Sequence, residues 1–129
     1  MGSCYASMLD LVASIVVDLS DQKLYAHTEA GKVHEFVVST GKPSTPTPVM
    51  EDTIANKHWE ADLYGPGYYI KDVKWIMCFD EHEIYCIHPN TTSAPLGEPH
   101  SMGCVRMSEY DAGWLFTRTP LHTPIKVQL

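Results

Sequence analysis

Cys104 sits in the run Pro99-His100-Ser101-Met102-Gly103-Cys104-Val105-Arg106-Met107, and His88 stands sixteen residues before it. A thiol attacks a carbonyl as its thiolate, and an ordinary cysteine is mostly protonated near neutral pH. An imidazole within reach either takes the proton or holds the thiolate as an ion pair. The base in such a pair needs a third group to orient it. Gly103 permits a tight turn and close approach of a substrate backbone. The amides of Gly103 and Cys104 are candidate oxyanion donors. Arg106 is placed either to brace the turn through backbone carbonyls or to meet a substrate carboxylate. A pair activated in this way would alkylate with iodoacetamide well below about pH 8.

Other readings of the same cluster compete. His88, His100 and Cys104 could ligate zinc, but neither Cys-x-x-Cys nor His-Glu-x-x-His spacing occurs. Ser101 as a nucleophile lacks the Gly-x-Ser-x-Gly elbow. The plainest alternative is a buried cysteine beside a hydrogen-bonded histidine.

The elements that must position these residues are mostly strands. Ile15-Val16-Val17-Asp18-Leu19 is β-branched and reads as a strand. Ser20-Asp21-Gln22-Lys23 is turn chemistry, and residues 23–27 read as the return strand. A second turn at 29–32 leads to a third strand over 33–39. Residues 40–48 carry three prolines and form an extended, rigid loop, or a plain linker. Residues 75–79 and 83–88 are apolar runs joined by Asp80-Glu81-His82, a hairpin pattern. It sets Cys78 opposite Cys86, so a cross-strand disulfide and two free buried thiols are both open. Residues 89–101 form a long polar loop. Ser108 caps a helix over 108–116, with Glu109 and Asp111 in its first turn. Residues 124–129 close as a strand. The expected fold is a single mainly β domain, a sandwich or distorted barrel with one or two short helices. The expected division is a leader over 1–13 and a catalytic domain over 14–129.

Composition narrows the partners. The chain has 129 residues, enough for one core without metal or disulfide staples. A net charge of −7, with nine scattered Lys and Arg, argues against nucleic acid. No run of 18 apolar residues exists to span a membrane, and the start shows no signal-peptide pattern. Tyr64, Tyr68 and Trp75 are candidate walls of a peptide groove, or else core aromatics. Glu98 and Asp62 are candidate attractants for an amine, or else solvated surface.

Ser101-Met102-Gly103-Cys104-Val105-Arg106 resembles the Ser-His-Gly-Cys-(Val/Ile)-Arg signature of the L,D-transpeptidase (YkuD-like) catalytic domain. His88 stands where that family places its catalytic histidine. Residues 15–25 resemble the family's opening hairpin, 38–48 its Pro/Thr-rich stretch, and 110–116 with 123–125 its closing helix and strand. The resemblance implies a cysteine acyltransferase acting on peptidoglycan stems outside the cytoplasm, without metal or organic cofactor. It implies that Cys104 attacks the bond between diaminopimelate and D-Ala, with His88 as base. A thioester forms, and an amine from a second stem resolves it as a 3→3 cross-link. Carbapenems should acylate Cys104 as substrate mimics. Gly103 and Arg106 support the catalytic turn. Ser101, Met102, His100, Tyr68 and Trp75 are the expected substrate contacts, and a monomer is expected. Met102 replaces the usual His, and Pro89 follows His88 where Gly or Ser is common. A carbonyl at 89 would still orient the imidazole, since proline lacks only the N–H. The rivals are an L,D-carboxypeptidase, with water as acceptor, and a domain that binds peptidoglycan without chemistry.

Overall fold

The computed structural model describes residues 10–129. Most of the segment read as a leader, residues 1–9, lies outside the described residues. β1 (Val12–Asp18) turns through 19–22 into β2 (Lys23–Thr28), which pairs antiparallel with β3 (Val33–Val37). The chain returns to this sheet as β4 (Met50–Thr53) and as β9 (Pro124–Gln128), giving the order β3-β2-β1-β9-β4. β9 runs parallel to β1, with Ile15 against Ile125 and Val17 against Val127.

The second sheet has the order β5-β6-β7-β8. β5 (Asn56–Gly65) and β6 (Tyr68–Cys78) form a long hairpin, and β7 (Cys86–Pro89) and β8 (Val105–Met107) complete the sheet. α1 (Glu109–Arg118) packs on β6 and β7. Ser108 is its N-cap and accepts from the Asp111 N–H at 3.0 Å. Two facing sheets and one helix among the described residues make a mainly β domain that does not close into a barrel.

Strand alternation explains the core. Ile15 and Val17 of β1, Leu24 and Ala26 of β2, and Ile125 and Val127 of β9 all point inward and are buried. They meet Met77, Phe79, Ile87, Val105, Met107 and Leu115 from the other side. Each such Val, Leu, Ile, Met or Phe side chain contributes about 1.5–3 kcal/mol through burial. This core holds β7 and β8 still, and the candidate site is built on those two strands.

β5 has no counterpart in the sequence reading. Its residues mix polar and apolar types and none is fully buried, so it lacks the alternation that marks a half-buried strand. Backbone pairing with β6 defines it instead. Cys78 and Cys86 pair in register between β6 and β7 and form a disulfide. No helix among the described residues is long and apolar enough to cross a membrane.

Candidate active site

Parallel pairing closes the sixteen-residue gap between His88 and Cys104. Ile87 pairs with Val105 and His88 with Arg106. One step back along both strands sets Cys86 beside Cys104, and the Cys86 N–H donates to Cys104 Sγ at 3.4 Å. The thiol lies 3.7 Å from the Ile84 carbonyl, which accepts from it. His88 is buried, and its Nδ1 sits 2.7 Å from the Pro89 carbonyl. A carbonyl only accepts, so Nδ1 carries the proton and Nε2 keeps its lone pair. His88, Cys104 and Arg106 line one cavity of about 160 Å³.

A buried hydrogen-bond network fixes the loop that leads into Cys104. Ser101 N–H donates to Thr40 O, and Lys42 N–H donates to Ser101 O. Thr47 Oγ1 accepts from Gly41 N–H at 2.9 Å and donates to Gly103 O at 2.6 Å. Gln22 holds the far end, with Nε2 on Thr40 Oγ1 and Oε1 on the Thr40 N–H. The Pro/Thr-rich segment is therefore a clamp on the cysteine loop, not a linker. A Cβ at Gly41 would lie 2.0 Å from Thr45 O, so only glycine fits that crossing. Gly103 has φ +131°, and a Cβ there would press on the Tyr85 ring at 3.3 Å.

Thr47→Val should cost about 2 kcal/mol, because it strands a buried N–H and a buried C=O together. Chemical denaturation of both variants beside the parent measures it, with Thr47→Ser expected to recover most of the loss. A valine variant as stable as the parent would refute the clamp.

Burial sets the electrostatics. It pushes the Cys104 thiol up, partly offset by the Cys86 N–H and the Arg106 charge. It pushes the His88 imidazole down to about 4. The resting pair near neutral pH is thus thiol and neutral imidazole. This differs from the expectation of a thiolate reactive below about pH 8. A low-dielectric pocket penalises both charges of an ion pair before substrate arrives.

A model of the L,D-transpeptidase catalytic domain family, YkuD, matches residues 13–127. The chain belongs to this family. Solved L,D-transpeptidases share its fold. One from Mycobacterium tuberculosis H37Rv superposes with TM-score 0.83 at 23% identity, over 90% of this chain and 57% of the other. A cysteine-to-serine mutant of the Enterococcus faecium enzyme gives 0.81 at 28%, over 91% and 50%. L,D-transpeptidase 3 from M. tuberculosis, in complex with a faropenem-derived adduct, gives 0.79 at 22%, over 90% and 60%. The chain spans half to three-fifths of the length of these proteins. No match was found among the curated proteins.

Within this L,D-transpeptidase domain, Ser101, Met102, Tyr64 and Tyr68 line the cavity with His88, Cys104 and Arg106. Ser101 is a brace as well as a wall: its hydroxyl donates to Cys104 O and accepts from the Gly103 N–H. The Gly103 amide is consequently engaged and is not an open oxyanion donor, which corrects the expectation for it. Arg106 Nη1 reaches His100 O at 3.4 Å. The His100 ring pairs with Glu98 away from the cavity lining, so it does not take the place of the missing imidazole. Trp75 is also apart. It has φ +56° and turns to α1, packing on Phe116 with centroids 5.3 Å apart. Asp62 spends both oxygens within the β5–β6 hairpin, on Tyr69 Oη and Asp72 N–H. Sequence reasoning missed Thr47 and Gln22, whose signal was only a buried polar residue in a turn. It also missed Ile84 and Glu83, hidden in an apolar run.

Proposed function

We propose that this domain is a peptidoglycan L,D-transpeptidase that forms 3→3 cross-links outside the cytoplasm. The observation that carries the reading is a thiol and a carbonyl-oriented imidazole on one cavity, set there by the β7–β8 register. Cys104 Sγ attacks the carbonyl between diaminopimelate and D-Ala. His88 Nε2 takes the thiol proton as the C–S bond forms, then gives it to the departing D-Ala nitrogen. The Cys104 N–H serves the oxyanion, since the Gly103 N–H is held by Ser101. Arg106 supports the turn and offers its charge to a stem carboxylate. The thioester that remains is resolved by an amine of a second stem.

The neutral resting pair agrees with this chemistry. A general base works when it is unprotonated at the working pH, and His88 is. The thiol then ionises only as it attacks.

A disaccharide-tetrapeptide incubated with the protein, beside Cys104→Ala, should give cross-linked dimer and free D-Ala by mass spectrometry, with neither in the variant. Tripeptide without dimer would make the domain an L,D-carboxypeptidase. No change in either sample would leave it a peptidoglycan-binding domain. A carbapenem should add its mass to the parent only; an adduct that persists in Cys104→Ala would remove Cys104 from the role.

A further inference from the structure

Among the described residues, Glu83 is the one carboxylate that lines the catalytic cavity, and Arg106 is the one permanent cation there. Glu83 also lines a second, wider groove of about 440 Å³ beside the first. The two spaces share Leu63, Tyr64, Tyr68, Glu83, Ile84 and Cys86 as walls. Glu83 therefore stands where one opens toward the other.

Its backbone is held there by a specific turn. Asp80 accepts from the Tyr85 N–H at 2.7 Å and from the His82 N–H at 3.2 Å, and Glu83 N–H donates to Asp80 O. Glu83 takes φ +56° as a result. Glycine or asparagine meets that conformation at lower cost, so the turn itself does not call for Glu. The next residue, Ile84, supplies the carbonyl that touches Cys104 Sγ. The carboxylate is thus carried on the loop that contacts the reactive sulfur. His58 Nε2 grips Oε1 from β5. Among the described residues Oε2 has no donor, and it remains available for a cation.

We infer that Glu83 receives the ammonium of the acyl acceptor, a primary amine arriving through the wider groove, and admits it to the thioester. This rests on the acyl-transfer reading above and adds the acceptor side to it. The atoms balance as follows. The ammonium, held beside the Glu83 carboxylate, releases one proton to solvent. The free amine attacks the thioester carbonyl, and His88 Nε2 takes its second proton. The C–N bond forms, the C–S bond breaks, and the proton returns to Cys104 sulfur. Asp62 and Glu98 do not compete for the role, because the first is spent on the hairpin and the second lines neither space.

The test is the partition of the thioester between amine and water, read as the ratio of cross-linked product to tripeptide. The ratio is internal to each sample, so a general loss of activity does not imitate the effect. Glu83→Gln should lower it at least tenfold with the tetrapeptide acceptor, and Glu83→Asp should recover part of the loss. With hydroxylamine, which is uncharged near neutral pH, the ratio of hydroxamate to tripeptide should stay within twofold of the parent. An unchanged tetrapeptide ratio in Glu83→Gln, with D-Ala still released, overturns the inference alone. An equal fall with both nucleophiles makes Glu83 a structural residue and also overturns it. Failure of the parent to release D-Ala overturns the acyl-transfer reading and this inference together.

Discussion

His88→Gln should slow acylation of Cys104 about 10²- to 10⁴-fold, the range a positioned general base contributes. Glutamine fills a similar volume and keeps a donor for the Pro89 carbonyl, but it has no basic nitrogen. The rate of carbapenem adduct formation, followed by mass spectrometry, measures the effect without needing an acceptor. The pH profile carries the second half of the expectation. In the parent, acylation should hold from neutral pH downward until His88 protonates near 4. In the variant, the rate should track thiolate instead and climb with pH through a thiol range that burial has raised. A variant within threefold of the parent at neutral pH would show that Cys104 ionises without His88. The neutral resting pair would then be the wrong starting state.

Much of this geometry was legible in the sequence. The opening hairpin announced itself through β-branched runs broken by Ser20-Asp21-Gln22, and the helix through Ser108 and its acidic first turn. Both are local signals, and both elements are observed within a few residues of expectation. Long-range pairing left no such mark. The parallel contacts of β1 with β9 and of β7 with β8 join residues far apart in sequence, and nothing in either run names its partner. β5 was unreadable for a different reason. It is defined by its pairing with β6 and has no fully buried residue, so no period-2 apolar pattern marks it. Trp75 was open between groove wall and core aromatic, because a strand pattern assumes extended backbone and does not foresee the positive φ that goes with its packing on Phe116.

The clamp and the catalytic cavity show how the missing information matters. Thr40, Thr47 and Gln22 look like ordinary turn residues, yet their burial makes them the frame of the cysteine loop. A polar side chain in a core is retained only with its partners satisfied. No buried side-chain nitrogen or oxygen among the described residues lacks a partner. The cost of that satisfaction is rigidity, which suits the proposed attack of Cys104 on a carbonyl, where placement within a few tenths of an ångström matters.

The domain should lose about 3 kcal/mol of stability as pH falls from 6.5 to 4, and His88 should account for most of it. An unfolded histidine protonates near 6.5, whereas folded His88 protonates only near 4. Between those values the unfolded chain binds the extra proton, so stability falls as pH falls. The contribution is fully present above 6.5 and is gone below about 4. The gap of about 2.5 pH units, at ~1.36 kcal/mol each, sets the size. Asp18 and Asp62 do not supply this window, because hydrogen bonds hold both carboxyls below their ordinary 3.8. Urea unfolding at a series of pH values should show the slope in the parent and a much flatter curve in His88→Gln. The His88 ring resonances should stay in the neutral position until close to pH 4. A resting thiolate–imidazolium pair carries the same number of protons as thiol and neutral imidazole, so the slope alone does not separate the two, and the ring resonances do. Stability that holds from 6.5 to 4 would refute the lowered His88 value. Ring resonances already in the protonated position near neutral pH would establish the ion pair and refute the neutral one.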